Sequence, residues 1–355
     1  MESHQSYILV GDLGGTQVRL RVLTESDNEL IFSEDSLTKD SLSLLSTLRN
    51  FLAKFQASIK SQHHHIEKAV LAIAGPVVGD TVPILVDIPQ WGSPKEYEYE
   101  SELGIKRVKF INDFVANGYG IITAYDYINV YDPEKSQNDN VRLVYGIGTG
   151  LGVCLMARPD EDSQYNAFPS EAGMVKMQYY NKVDKEFHKF LIEKGYNQGR
   201  EDVSLVLGGC SLPHLAEFYA AYEETKPLFM EKSPLYSVLP TLKLTPEILT
   251  HNARDLNDFL ATTVVDHFLD YAAKYLTDLA LMTLPFGGIY LTGSVLNVGL
   301  RYIFEDPVKS ARFIEKFQNR GSQAELLKRI PIRLVVKKDL AMDGCLDYAR
   351  YYLKC

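Results

Sequence analysis

Two glycine-rich strand–turn–strand units constrain this chain more than any other feature. In the first, the apolar runs Tyr7–Asp12 and Val18–Thr24 flank Gly14-Gly15, which reads as a β-hairpin. In the second, Val141–Gly146 and Gly152–Ala157 flank Gly148-Thr149-Gly150. The units lie about 135 residues apart, far beyond the roughly 20–50-residue period of a solenoid. They point to a duplicated architecture.

The rest of the chain reads as α/β. Helical spacing covers Leu42–Ile59, and Lys68–Ala74 is an apolar strand closed by Gly75-Pro76. A further strand is expected in Thr81–Asp87. Arg107–Ile111 is a short strand running into Asn112-Asp113 and a helix, Phe114–Thr123. Beyond the second unit, Asp255–Leu284 has helical spacing throughout, about 45 Å at ~1.5 Å per residue. Gly287–Thr292 and Ile332–Val336 are buried strands, and Leu340–Leu353 is a final helix. Strands mixed with crossover helices define the α/β class, and 355 residues predict two domains.

Charge and cysteine content exclude several functions. The formal charge of −9, from 37 Lys+Arg and 46 Asp+Glu, argues against gripping nucleic acid or an anionic membrane. No charged residue occurs from Leu279 to Leu300, yet Pro285, Gly287, Gly288 and Gly293 divide that stretch into turn and strand rather than a membrane span. The apolar run Tyr7–Val10 is too short for a secretory leader. Cys154, Cys210, Cys345 and Cys355 are far apart with no CxxC pair, which suits a reducing compartment and excludes a cysteine-type zinc site.

The two turns carry the chemistry. In Gly11-Asp12-Leu13-Gly14-Gly15-Thr16, small residues let backbone N–H groups approach an anion, and Thr16 adds a hydroxyl. Asp12 would repel phosphate directly but is well placed to hold a Mg²⁺ ion beside it. Gly146-Ile147-Gly148-Thr149-Gly150-Leu151-Gly152 repeats the pattern. One such turn alone is equally a hairpin with glycines for geometry; two look like jaws around a polyphosphate. Neither is followed by GK[ST] and neither fits GxGxxG, so P-loop and dinucleotide readings are disfavoured. Asn112-Asp113 sits where a strand meets a helix, a common place for a site. Taken in isolation, Asp113 there would merely cap the helix.

These motifs, with Glu171-Ala172-Gly173 and Leu291-Thr292-Gly293-Ser294, resemble in order and spacing the bacterial-type (group A) ATP-dependent glucokinases, part of the sugar kinase/actin/heat-shock-protein ATPase group. The resemblance runs from Gly11 to the C-terminal helix. It implies two ribonuclease-H-like (actin-like ATPase) domains with an interdomain cleft, one of residues 1–112 plus about 337–355 and one of residues 113–336. It further implies a cytoplasmic homodimer that phosphorylates glucose at the 6-hydroxyl with ATP and Mg²⁺. A sugar hydroxyl is a poor nucleophile and needs its proton accepted as it attacks. By the resemblance Asp113 is that base, Asn112 holds a neighbouring hydroxyl, and Glu171 and Ser204 bind sugar. Gly11, Asp12, Leu13, Gly14, Gly15, Thr16, Gly148, Thr149, Gly150, Gly293 and Ser294 bind ATP, with Mg²⁺ on Asp12 through water. No zinc is implied, in contrast to regulator-like relatives that carry clustered Cys and His.

Three positions depart from the family pattern. Met174 stands where a His is common, Ser204 where a Glu is expected, and the loop Asp87–Trp91 keeps only Trp91 of a polar run. All fall in the sugar site and none in the phosphate turns, so a different hexose is one alternative and a catalytically silent sugar or nucleotide sensor another. His63-His64-His65 reads as a solvated loop, and the 22 tyrosines as packing residues. Asp343-Gly344 is expected to let helices cross closely near a hinge.

Overall fold

The computed structural model describes residues 5–59, 64–85, 88–133 and 139–354. His63 and Asp87 lie outside them. The chain divides into two compact units: Met1–Tyr125 with Ala167–Pro169 and Lys337–Cys355, and Asp126–Asn166 with Ser170–Val336.

The first unit is built on five strands, β1 (Gln5–Leu13), β2 (Gln17–Thr24), β3 (Leu30–Leu37), β4 (His64–Ile73) and β5 (Arg107–Asn112), in the order β3-β2-β1-β4-β5. The glycine turn joins β1 to β2 antiparallel, as expected, while β1, β4 and β5 run parallel. Parallel strands are covered on both faces and are therefore apolar throughout; Ala69–Ile73 of β4 is fully buried. Helix α1 (Leu44–Ser58) is capped by the Ser43 hydroxyl, which accepts from the Ser46 N–H at 3.2 Å. It buries Leu44, Leu48, Phe51 and Phe55, one helical face. Helices α2 (Glu96–Leu103) and α3 (Asp113–Thr123) follow. The C-terminal helix Leu340–Asp347 crosses α3 closely, because Gly344 lies against the Ala116 carbonyl where any Cβ would collide. That bears out the expected close crossing.

The second sheet repeats the plan with β6 (Tyr127–Tyr131), β7 (Val141–Ile147), β8 (Leu151–Ala157), β9 (Asn166–Ser170), β10 (Ile289–Thr292) and β11 (Ile332–Val335), ordered β6-β11-β10-β7-β8-β9. From the hairpin edge the orders β3-β2-β1-β4-β5 and β9-β8-β7-β10-β11 match, with a hairpin followed by two parallel strands. The duplication inferred from the two turns is thus a property of the sheets.

Three expectations are corrected. Of the strand expected over Thr81–Asp87, the described part Thr81–Leu85 is no strand: Thr81 makes only isolated bridges to Val78 and Lys95, because Pro83 cannot donate to a ladder. Val82 and Leu85 serve as core plugs instead. The long helix starts at Phe259, not Asp255. An earlier helix, Pro246–Asp255, ends there, Asn257 adopts φ 49°, and Asp258 caps the new helix by accepting from the Ala261 N–H at 3.0 Å. The final helix is α-helical only to Asp347 and continues as one wider turn, Tyr348–Tyr352. Among the described residues no helix is long and apolar enough to cross a membrane.

Candidate active site

In the first unit, Leu13, Ile73 and Asn112 lie level at the carboxyl ends of the parallel strands β1, β4 and β5. This edge is where α/β sheets present ligand sites. Gly11 and Leu13 are buried wall, whereas Gly15 and Thr16 form the exposed tip. The turn is braced from behind: Gly14 N–H donates to the Gln17 carbonyl at 2.9 Å, and the Thr38 hydroxyl donates to the Gly14 carbonyl at 2.7 Å. Asp12 is opposite Arg19 in the β1–β2 register and accepts its guanidinium. Burial pushes the Asp12 carboxyl up, the Arg19 charge and hydrogen bond pull it back, and Asp339 adds to the rise.

The Asn112-Asp113 pair divides its labour. Asn112 is the helix cap, its Oδ1 accepting from Phe114 N–H at 2.9 Å and Val115 N–H at 3.2 Å. Its Nδ2 donates to the Gly75 carbonyl at 3.1 Å and to Asp113 Oδ1 at 3.0 Å. Two donors and two acceptor positions are all used. Asn112, expected on a sugar hydroxyl, also clamps the exits of β4 and β5. Asp113 opens α3, with Oδ1 also accepting from the Phe114 N–H at 3.0 Å. The cap reading belongs to Asn112.

In the second unit, parallel strands β7 and β10 end side by side, Gly146 level with Thr292. Each runs into a glycine turn. Gly293 has φ 89°, and a Cβ there would collide with the Ile147 backbone. Within the other turn, Gly148 N–H donates to the Gly150 carbonyl at 3.0 Å, and the Gly148 carbonyl accepts from Gly209 N–H at 2.8 Å. Thr149 is exposed at the tip. Ser204, expected on the sugar, is 5% exposed and lies beneath this turn. Its Oγ accepts from the Leu151 N–H at 3.2 Å and packs against Gly173. Glu171 is exposed, and its carbonyl accepts from Met174 N–H at 2.9 Å in the short turn Ala172–Met174. The Tyr275 hydroxyl steadies that turn by donating to the Ala172 carbonyl at 2.6 Å. Met174 is 57% exposed and has no donor for a hydroxyl.

Arg19 and Asp339 escaped the reading of the sequence. Arg19 was accessible in principle, since the hairpin register sets it opposite Asp12. Asp339 was not, since 320 residues separate it from Arg19. For a metal, the donor set is small. Among the described residues no group of three His, Cys, Asp or Glu gathers to hold an ion. A single half-buried carboxylate, Asp12, beside a turn of backbone N–H groups fits Mg²⁺, which keeps several waters and takes further oxygens from a phosphate.

The fold is a mixed α/β fold of two units with a repeated sheet order, and solved glucokinase structures share it. A family model described as glucokinase matches residues 9–351, and the chain belongs to that family. It is a sugar kinase. A glucokinase of Trichormus variabilis is 29% identical over 352 residues, covering 95% of this chain and 97% of that one. The structure of a Balamuthia mandrillaris glucokinase in complex with glucose superposes with a TM-score of 0.74 at 16% identity, covering 98% and 94% of the two chains. A ROK family glucokinase from Streptomyces griseus, in complex with glucose and AMPPNP, gives 0.62 at 15% identity, covering 97% and 99%.

Proposed function

We propose that the chain transfers the γ-phosphoryl group of ATP to the 6-hydroxyl of glucose, giving glucose 6-phosphate and ADP. The observation that carries this reading is the arrangement at the start of α3: Asn112 is the cap residue, and its Nδ2 together with the Phe114 N–H holds Asp113 Oδ1 in place at the strand ends. Asp113 is the general base, accepting the hydroxyl proton as the oxygen attacks phosphorus. Asn112 positions it. Gly15 and Thr16 with Thr149 and Gly150 offer backbone N–H groups and hydroxyls to the phosphates, on turns that the Gly14 and Gly148 N–H groups close, and Gly293-Ser294 forms the adenosine floor. Asp12 would hold Mg²⁺ through water; the ion would supply charge neutralisation on the transferred group. Glu171 reads sugar hydroxyls by accepting from them. Ser204 acts on the turn rather than on the sugar. A homodimer in the cytoplasm completes the reading, which rests here on resemblance to the family.

Met174 favours a second reading within the same chemistry, a kinase preferring another hexose, because the side chain of this exposed residue near Glu171 has no donor for a sugar hydroxyl. A coupled assay measuring kcat/KM for glucose, mannose, fructose and N-acetylated hexosamines with Mg·ATP decides between them. Glucose ranking first supports the proposal. A different hexose ranking first transfers it to that sugar, and absence of turnover with every hexose overturns both.

A further inference from the structure

We propose that Arg19 and Asp339 are positioning residues for the transfer step, acting through Asp12; the inference rests on the functional reading above. Arg19 and Arg21 are two residues apart on β2 and so share one face of the strand. The register sets Arg19 against Asp12. Arg19 bridges two carboxylates, reaching Asp12 with one nitrogen and donating to Asp339 Oδ1 with another at 2.7 Å. Arg21 donates to Asp339 Oδ2 at 2.9 Å. The result is an alternating line of charge, Asp12–Arg19–Asp339–Arg21, in which each acid meets a guanidinium.

Asp339 is placed for this work. It precedes the C-terminal helix with φ 60°, a left-handed conformation that Asp tolerates at some cost. Its side chain does not cap that helix; both oxygens go to the arginines. All four side chains are 15–31% exposed. Ion pairs that open to water add little stability on their own, so orientation is the better account of their arrangement. A planar guanidinium fixes the directions of its N–H groups, which a lysine ammonium does not. With Arg19 braced by Asp339, the Asp12 carboxylate keeps one orientation beside Gly14 and Gly15. Supporting partners of this kind typically change metal affinity or activity about 10–100-fold when removed.

The test compares wild type with Arg19→Gln, Arg19→Lys, Asp339→Asn, Asp12→Asn and the double variant Asp12→Asn/Arg19→Gln. Steady-state kinetics give kcat and both KM values, and calorimetry gives the affinity for Mg·ADP without turnover. Arg19→Gln is expected to weaken Mg·ADP binding and raise the KM for Mg·ATP roughly tenfold or more, with the KM for glucose unchanged. Arg19→Lys should recover part of the loss. Asp339→Asn should move the same quantities in the same direction by less, and because Asn also tolerates φ > 0 it reads the effect even if Arg19→Gln does not fold. In the Asp12→Asn background, Arg19→Gln should add almost nothing. Mg·ADP affinity within about twofold of wild type in Arg19→Gln and Asp339→Asn, or an undiminished Arg19 effect without Asp12, overturns the inference while leaving the functional reading intact. An Asp12→Asn variant that binds Mg·ADP and turns over normally overturns both.

Discussion

The two glycine hairpins share a strand plan and differ in what holds them. The turn between β1 and β2 is electrostatic: Asp12, Arg19, Asp339 and Arg21 line up behind it, and Thr38 braces its backbone. The turn between β7 and β8 carries no charged residue from Gly146 to Gly152. It is held by backbone contact and by one buried hydroxyl, Ser204. One strand plan thus carries two different turns, one backed by a carboxylate to which the proposed function gives the metal and the other a neutral cradle. This also removes an apparent conflict in the sequence. A chain of net charge −9 can hold a polyphosphate when backbone dipoles and an ion supply the positive field.

The sharpest way to break the comparison is at Gly293. If the second hairpin is a steric cradle, Gly293→Val must fail twice over, through the φ of 89° and through collision with Ile147. We expect a loss of about 1–3 kcal/mol or more of stability, measured by denaturant unfolding, and a raised KM for ATP in whatever folds. A Gly293→Val protein of unchanged stability and KM would show that the turn is not closely packed. A smaller effect sharpens the comparison at Ser204. Ser204→Ala strands the buried Leu151 N–H, which should cost about 1–3 kcal/mol and raise the KM for ATP with little change in the KM for glucose. A selective rise in the KM for glucose would instead return Ser204 to the sugar.

Much of this was legible before any coordinates. Apolar strands broken by glycines marked both hairpins, and the strand–helix junction marked Asn112-Asp113. What stayed hidden has physical causes. β3 is an edge strand with no buried residue, and its sequence, Leu-Ile-Phe-Ser-Glu-Asp-Ser-Leu, lacks the period-two alternation that marks a strand. Pro83 turns an apolar run into core plugs. Asn257-Asp258 interrupts a helical pattern that apolar spacing alone carries straight through. An Asn-Asp pair at a helix start leaves open which residue caps; only the hydrogen bonds assign that to Asn112. The resemblance sets Ser204 where a family Glu is expected; that its hydroxyl is buried and accepts from the Leu151 N–H is invisible in the sequence. Non-local pairing is the hardest of all, as with Arg19 and Asp339, because no local periodicity encodes it.

The central claim is that Asp113 accepts the proton of the sugar hydroxyl during phosphoryl transfer from ATP. Its most direct test is kcat for glucose with Mg·ATP in Asp113→Asn, alongside glucose affinity by calorimetry and the folded state by circular dichroism. The account predicts a folded protein that still binds glucose while kcat falls roughly 10²–10⁴-fold. A folded Asp113→Asn protein with wild-type kcat would contradict it.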